Sequence, residues 1–109
     1  MIELAEFENV EMRVGTVIDV KENKKSRNPA YVLTIEFGEE IGTKKSSAQI
    51  TTLYTPEALL GRQIVCCVNL TPMHIGSVKS EVRVLGADTP DGVVLLQPDR
   101  NVKNGDVIF

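Results

Sequence analysis

Polar and hydrophobic residues alternate along most of the chain, which is the period-two pattern of strands that bury one face. The longest such run extends from Val10 to Lys21 and carries β-branched residues on its more apolar side. Shorter runs follow over residues 30–37, 43–51, 63–70, 81–87 and 93–97, and Val107, Ile108 and Phe109 form a last apolar segment. The pattern predicts an all-β protein.

Two local signals refine this prediction. Gly15 lies inside the longest run, and because glycine within a strand is typical of a bulge or sharp bend, we expect the sheet to curl there. Further along, Thr55 is suited to cap a helix, Pro56 to begin it and Gly61 to end it. About five core strands, one short helix between strands 3 and 4, and short terminal extensions are the elements of an OB-fold, a five-stranded Greek-key barrel. A β-sandwich is the alternative, because periodicity does not fix topology.

The composition narrows the function classes. The chain has 109 residues, 42% of them hydrophobic, which suits one globular domain spanning residues 1–109. Aromatic residues make up 5% and tryptophan is absent, so binding of single-stranded nucleic acid by base stacking is disfavoured. Because the net charge is −3, any attraction for RNA must come from a local basic surface.

Charge is segregated along the chain, since acidic residues dominate the first 22 positions and residues 23–45 are rich in basic ones. An OB-fold binds extended ligands across its second and third strands and the adjoining loops, and here those elements carry the basic residues. The alternative is a solvated surface that only keeps the protein soluble. The candidate nucleic-acid-binding residues are Lys24, Lys25, Arg27, Lys44 and Lys45, with Ser47 and Gln49 as hydrogen-bonding groups and Lys79, Ser80 and Arg83 as an extension.

An apolar turn over residues 72–76 offers a second kind of site. It holds Met73 and Ile75 at positions with no evident core role. Tyr31 follows the polar segment over residues 21–29, which we call the basic loop. Since methionine suits a surface that accepts varied apolar partners, Tyr31, Met73 and Ile75 are candidate peptide contacts. The alternative is that Met73 and Ile75 cap the end of the barrel.

Cys66 and Cys67 are adjacent within an apolar run, and neighbours on a strand point to opposite faces. Since this arrangement fits neither a zinc site nor a redox pair, we expect two reduced thiols in a cytoplasmic protein. The first residues lack the features of a signal peptide, and no apolar run is long enough to span a membrane. We expect no metal, no cofactor and no membrane insertion.

An enzyme built on His74, the single histidine, is a minority hypothesis. A serine-histidine-aspartate triad would have to use it with Ser77 or Ser80, but the sequence supplies neither a nucleophile elbow nor an oxyanion turn. Glycine-rich phosphate-binding motifs are absent as well. We therefore expect a non-catalytic protein in which His74 lies on the surface or at an interface.

Several segments together resemble the tRNA-binding domain family and, within it, the CsaA-type secretion chaperones. The resemblance runs nearly from end to end of the chain. Where the broader family has Ser, a small residue, Gly and Met, this chain reads Ser80, Glu81 and Val82, which is similar to CsaA. The residues that carry the resemblance are Phe7 to Val17; Arg27 to Tyr31 with Leu33, Ile35, Phe37 and Gly38; Gly42, Lys44 and Ser46 to Thr51; Tyr54, Leu60 and Gly61; Val68 to Leu70; Ser80 to Val82 with Val84 to Gly86; and Gly105 with Asp106.

The resemblance implies an OB-fold barrel, a homodimer built from the terminal extensions, binding of unfolded preproteins and of the SecA translocation motor, and a tRNA-binding face. A CsaA-like export chaperone is the leading hypothesis, and a tRNA-binding cofactor that recognises folded RNA by charge and shape is the alternative. Arg83, His74 and Val78 depart from the CsaA pattern, so the pocket formed by their segment differs here. The apolar residues expected at the dimer interface are Leu4, Phe7, Val107, Ile108 and Phe109.

Overall fold

A computed structural model describes residues 1–109, and most of its strands form one antiparallel sheet. Six strands form this sheet: β1 (Met12–Glu22), β2 (Tyr31–Glu36), β3 (Thr43–Ala48), β4 (Gln63–Cys67), β7 (Arg83–Val84) and β10 (Val107–Ile108). They follow each other across the sheet in the order β3-β2-β1-β4-β7, and β10 pairs with the start of β1.

Strand β1 is long enough to belong to both halves of a curled sheet. Its first residues, Met12 to Thr16, pair with β4, and Thr16 to Glu22 pair with β2. The sheet therefore closes most of the way into a five-strand antiparallel barrel, as expected for an OB-fold. The predicted fold class is confirmed.

Two separate hairpins complete the β-structure. One consists of β5 (Met73–Ile75) and β6 (Val78–Ser80), and the other of β8 (Gly86–Thr89) and β9 (Gly92–Leu95). The sequence pattern indicated only a turn over residues 71–77 and one continuous strand over 81–87. The prediction of a single strand is wrong, because β7 pairs with β4 whereas β8 pairs with β9.

The bend in β1 is displaced from the predicted position. The register with β2 shifts between Val17 and Asp19, while Gly15 pairs regularly with Ile64. Gly15 is needed for a different reason, because a Cβ atom there would lie 2.6 Å from Cγ2 of Ile35. The glycine permits close packing across the barrel, and the bulge lies at Ile18.

Helix α2 (Pro56–Leu59) lies between β3 and β4, where the sequence predicts it. The Thr55 side chain caps it by accepting a hydrogen bond from the backbone N–H of Ala58, 3.2 Å away. A second helix, α1 (Leu4–Glu8), was not predicted. Its start is fixed by a capping box in which the Glu6 carboxylate accepts the N–H of Glu3 at 3.0 Å.

The core lies inside the barrel and consists mainly of aliphatic residues, together with Phe37 and Tyr31. Both cysteines are free and buried, and Cys66 belongs to this core. Burial raises the pKa of the Cys66 thiol to about 12, with a smaller contribution from neighbouring Cys67. Since the thiolate is the reactive form of cysteine, Cys66 is chemically inert in the folded protein. None of the helices has the length and apolar character needed to cross a membrane.

A candidate ligand-binding groove and its basic border

An open groove of about 760 Å³ lies where the barrel stays incompletely closed, between β3 and β7. Three large apolar side chains on its border remain exposed: Leu70 at 51%, Met73 at 64% and Leu96 at 46%. Polar residues also line the groove, among them Ser47 of β3, Ser80 of β6, and Gln49, which directly follows β3. The remaining apolar lining is formed by Ala48, Ile50, Ile75, Val82, Val84, Leu85 and Val93.

The β5–β6 hairpin forms one wall of this groove. Met73 is paired with Ser80 and Ile75 with Val78, and three of these four residues line the groove. The intervening pair, His74 and Lys79, does not line it, as expected from the alternation of side chains along a strand.

Hydrogen bonds fix the hairpin wall against the edge of β3. The Ser47 N–H donates to the Ser80 hydroxyl at 3.0 Å, and the Glu81 N–H donates to the Lys45 carbonyl at 2.8 Å. The outer edge of β3 is therefore partly covered, and the wall of the groove is held in a defined position.

A buried asparagine joins the basic loop to the same wall. The Asn23 side-chain amide donates to the Ser47 hydroxyl and to the Ile75 carbonyl, both at 3.0 Å. Gly76, at φ +65°, lies against the backbone of Lys25, where a Cβ atom would be 2.8 Å from the carbonyl carbon. The loop that begins at Asn23 is thus packed onto the hairpin turn. A larger residue at position 76 would push this loop away from the turn.

Four of the predicted basic residues are brought into this neighbourhood. Lys24 and Lys25 are exposed on the loop, Lys79 is exposed on the hairpin, and Lys45 is exposed two residues before Ser47 on the same face of β3. Arg27 is exposed further along the loop. We call Lys24, Lys25, Lys45 and Lys79 the basic border of the groove.

Lys44 differs from these residues. It points to the other face of β3, and its Nζ atom lies 3.8 Å from a carboxylate oxygen of Glu81. The other oxygen of Glu81 accepts the backbone N–H of Lys45 at 3.1 Å. The charge of Lys44 is therefore already paired within the chain.

Of the predicted site residues, some line the groove and others form its basic border. Ser47, Gln49, Ser80 and Arg83 line the groove together with Met73 and Ile75. Tyr31 does not reach the groove. It is a core residue, 8% exposed, whose hydroxyl donates to the Tyr54 carbonyl at 2.8 Å, so its expected place on an exposed apolar surface is not what the structure shows.

Sequence reasoning missed several residues of this region. Leu70 and Leu96 lie outside the motif used to locate the apolar site, and only the fold brings them beside Met73. Asn23 is 7% exposed and holds the loop in place through its side-chain amide. The available signal was an asparagine placed directly after a long strand and before basic residues. Its partners, Ser47 and Ile75, are distant in sequence, so the signal does not identify them.

His74 is exposed, and it makes no hydrogen bond to Ser77 or Ser80. Its neighbour across the hairpin is Lys79. The arrangement of a nucleophile held by a base, which a triad requires, is therefore not formed around this histidine.

Several apolar side chains of both terminal segments are exposed. The pairing of Met12 with Ile108 places β10 beside the start of β1, a few residues after α1. Leu4, Phe7 and Val107 are 72%, 42% and 57% exposed, Phe109 is fully exposed, and Ile108 is half-buried. We call Leu4, Phe7, Val107 and Phe109 the terminal patch.

The profile of the family described as "Putative tRNA binding domain" matches residues 12–107, which is nearly the whole chain. The chain belongs to the tRNA-binding domain family. Methionine--tRNA ligase of Pyrococcus horikoshii is 32% identical over 104 residues, which cover 95% of this chain and 14% of that protein. The corresponding enzyme of Methanothrix thermoacetophila is 36% identical over 105 residues, 96% of this chain and 15% of its own length. The chain thus spans about a seventh of the curated relatives that it matches.

Solved structures place this member of the tRNA-binding domain family with the CsaA type. The CsaA chaperone protein from Picrophilus torridus is 44% identical with a TM-score of 0.95, and the match covers both chains completely. Chaperone CsaA from Bacillus anthracis is 46% identical with a TM-score of 0.93, over all of this chain and 99% of that one. The predicted CsaA-type membership is confirmed, and the chain is a binding protein of this family.

Proposed function

We propose that this protein is a non-catalytic chaperone that binds unfolded polypeptide segments in the groove between β3 and β7, in the cytoplasm. The observation that carries the proposal is the combination of an open groove of about 760 Å³ with exposed apolar side chains at Leu70, Met73 and Leu96. Ligand sites of about 300 to 1,000 Å³ with an apolar lining and a few polar groups are the common type. The similarity to CsaA chaperones supports the same function.

The chemistry of the groove suits an extended apolar segment without a fixed sequence. Met73 is flexible and polarisable, so its side chain can adapt to different partners. Ser47, Gln49 and Ser80 offer hydrogen-bonding groups beside the apolar surface, where the backbone of an unfolded chain needs them.

The groove is tested by Met73→Asp. A charge at this position must be desolvated when an apolar segment binds, so we expect the affinity for a fluorescein-labelled apolar peptide to fall by about tenfold or more, measured by fluorescence anisotropy. The matched control is Leu60→Asp, because Leu60 is 58% exposed and does not line the groove. Equal affinities for Met73→Asp and the unchanged protein would place the peptide site elsewhere.

A second candidate function is recognition of folded tRNA by the basic border. The observation that favours it is the packing of the Lys24 and Lys25 loop against the hairpin that carries Lys79, through Asn23 and Gly76. Since phosphate contacts release counterions, binding through such lysines is expected to weaken steeply with salt. Because aromatic residues are scarce, shape and charge would provide the recognition.

Reversing two charges of the basic border, Lys24→Glu with Lys25→Glu, tests the RNA proposal. We expect the affinity for tRNA at low salt to fall by about tenfold or more and the slope of log K against log salt to decrease by about 2. Lys103→Glu serves as the control, since Lys103 lies with Gly38 and Glu39 beyond the other end of β2. An unchanged slope in the double variant would show that these lysines do not contact phosphate.

We also propose that two copies associate through the terminal patch, since Leu4, Phe7 and Val107 would otherwise leave apolar surface in water. An asparagine holds this region in place: the Asn69 amide accepts the N–H of Glu11 at 3.0 Å and donates to the carbonyl of Asn9 at 2.7 Å. Preproteins as the physiological cargo and SecA as a partner stay predictions from the resemblance.

A further inference from the structure

The carboxylate of Glu81 occupies a position between the groove and the basic border. Glu81 lines the groove, and its two carboxylate oxygens face Lys44 and the backbone of Lys45. A carboxylate within a surface that is proposed to bind RNA repels the phosphate groups and so weakens that binding. Its position therefore bears on which class of ligand the protein accepts.

Glu81 is held more firmly than a typical surface acid. Its own N–H donates to the Lys45 carbonyl at 2.8 Å, and its carboxylate accepts the Lys45 N–H at 3.1 Å. Both backbone groups of Lys45 on this edge of β3 are thus satisfied by one residue. The Glu81 side chain is only 30% exposed, so it cannot swing freely into solvent when an anion approaches.

The same carboxylate neutralises Lys44. The distance from Lys44 Nζ to the nearer Glu81 oxygen is 3.8 Å, and the Lys44 side chain is 37% exposed, so its ammonium is accessible but paired. A phosphate that contacted Lys44 would have to compete with a fixed carboxylate. It would also come close to the negative charge of that carboxylate, which costs free energy at short range.

We propose that Glu81 is a specificity-determining residue that lowers the affinity of this protein for RNA by pairing Lys44 and by placing a fixed negative charge beside the basic border. The proposal rests on the second candidate function, since Glu81 contacts the backbone of Lys45 in the basic border and pairs the neighbouring Lys44. The proposal adds that the Glu81 carboxylate competes with phosphate for the ammonium group of Lys44. Removing the charge of Glu81 is expected to increase the affinity of the protein for RNA.

The test is Glu81→Gln, because the glutamine oxygen can still accept the Lys45 N–H while the charge is lost. We expect the affinity for tRNA at low salt to rise about fivefold and the slope of log K against log salt to steepen by about 0.7 to 0.9, the value for one additional phosphate contact. Anisotropy with labelled tRNA over a series of salt concentrations measures both quantities. The circular dichroism spectrum and the urea midpoint of the variant, compared with those of the unchanged protein, show whether its fold is kept.

The control is Glu57→Gln, which removes the same charge from an exposed position on α2, a helix that packs against β1. An equal gain in both variants would mean that net charge alone is responsible and would overturn the proposal, as would an unchanged or weaker tRNA affinity in Glu81→Gln. If Glu81→Gln is neutral while Lys24→Glu with Lys25→Glu still weakens binding, the basic border stands and only the role of Glu81 is rejected. If Glu81→Gln binds tRNA and the unchanged protein does not, the proposal is supported. If neither protein binds tRNA, both this proposal and the second candidate function are rejected.

Discussion

Gly15→Ala is expected to lower the free energy of unfolding by about 3 kcal/mol, because the new methyl group would be forced into a filled part of the barrel. Its Cβ atom would lie 2.6 Å from Cγ2 of Ile35 and 2.8 Å from two ring carbons of Phe37. Contacts shorter than 3 Å between carbon atoms require one of the groups to move. Ile35 and Phe37 are 0% and 1% exposed, so neither has free space to move into.

Urea denaturation of the two proteins, followed by circular dichroism, measures this loss as a change in midpoint at constant slope. Gly42→Ala is the matched control. Gly42 has φ +79° but nothing within 4 Å of the added Cβ, so the expected cost is only that of a left-handed alanine, about 1 to 2 kcal/mol. A loss at position 15 no larger than at position 42 would mean that close packing is not the reason for the glycine in β1.

The strands of this fold could be predicted because each buries one face, and alternation reports that directly. The position of the bend could not, since it depends on how β1 is shared between two neighbours. Gly15 permits the close approach of Ile35 and Phe37, whereas the register shift lies at Ile18, which is 49% exposed and carries no sequence signal. A strand pattern records which residues are buried, but it does not record which partner buries them.

The predicted position of Tyr31 is also wrong, although the sequence pattern carries a signal for the correct one. The prediction assigns Tyr31 to the exposed apolar peptide site, yet Tyr31 is in phase with Leu33, Ile35 and Phe37, all of which are buried. The period of two therefore contained the correct answer. In contrast, nothing in the sequence could show that Leu70 and Leu96 would line the same groove, because that depends on how β7 and the two hairpins are arranged.

The basic border was predicted as a set of charges, but its composition depends on tertiary contacts. Lys44 and Lys45 are adjacent in sequence and looked equivalent. Because they point to opposite faces of β3, Lys44 meets Glu81 while Lys45 stays exposed. Counting lysines in sequence thus overestimates the charge available to RNA, and the pairing with Glu81 is the reason.

Phe7→Asp with Val107→Asp is expected to convert the proposed dimer to a monomer. These substitutions place one charge on each terminal element of the terminal patch, and a charge buried at the centre of an apolar interface without a partner typically costs several kcal/mol of association free energy. We expect the dissociation constant to rise by about a hundredfold or more, so that sedimentation velocity at about 10 μM shows the dimer for the unchanged protein and the monomer for the variant. Both residues are substantially exposed in the single chain, at 42% and 57%, so the monomer should keep its fold.

The location of the interface is tested by comparison with Leu60→Asp. Leu60 is as exposed as Val107 and lies outside the terminal patch, so its variant should remain dimeric. A monomeric unchanged protein would reject the dimer itself, whereas a variant that stays dimeric would move the interface away from the terminal patch. Peptide affinity adds a further distinction, since the groove between β3 and β7 is complete within one chain. A monomeric variant should therefore still bind the labelled apolar peptide, and loss of that binding would show that the partner contributes to the site.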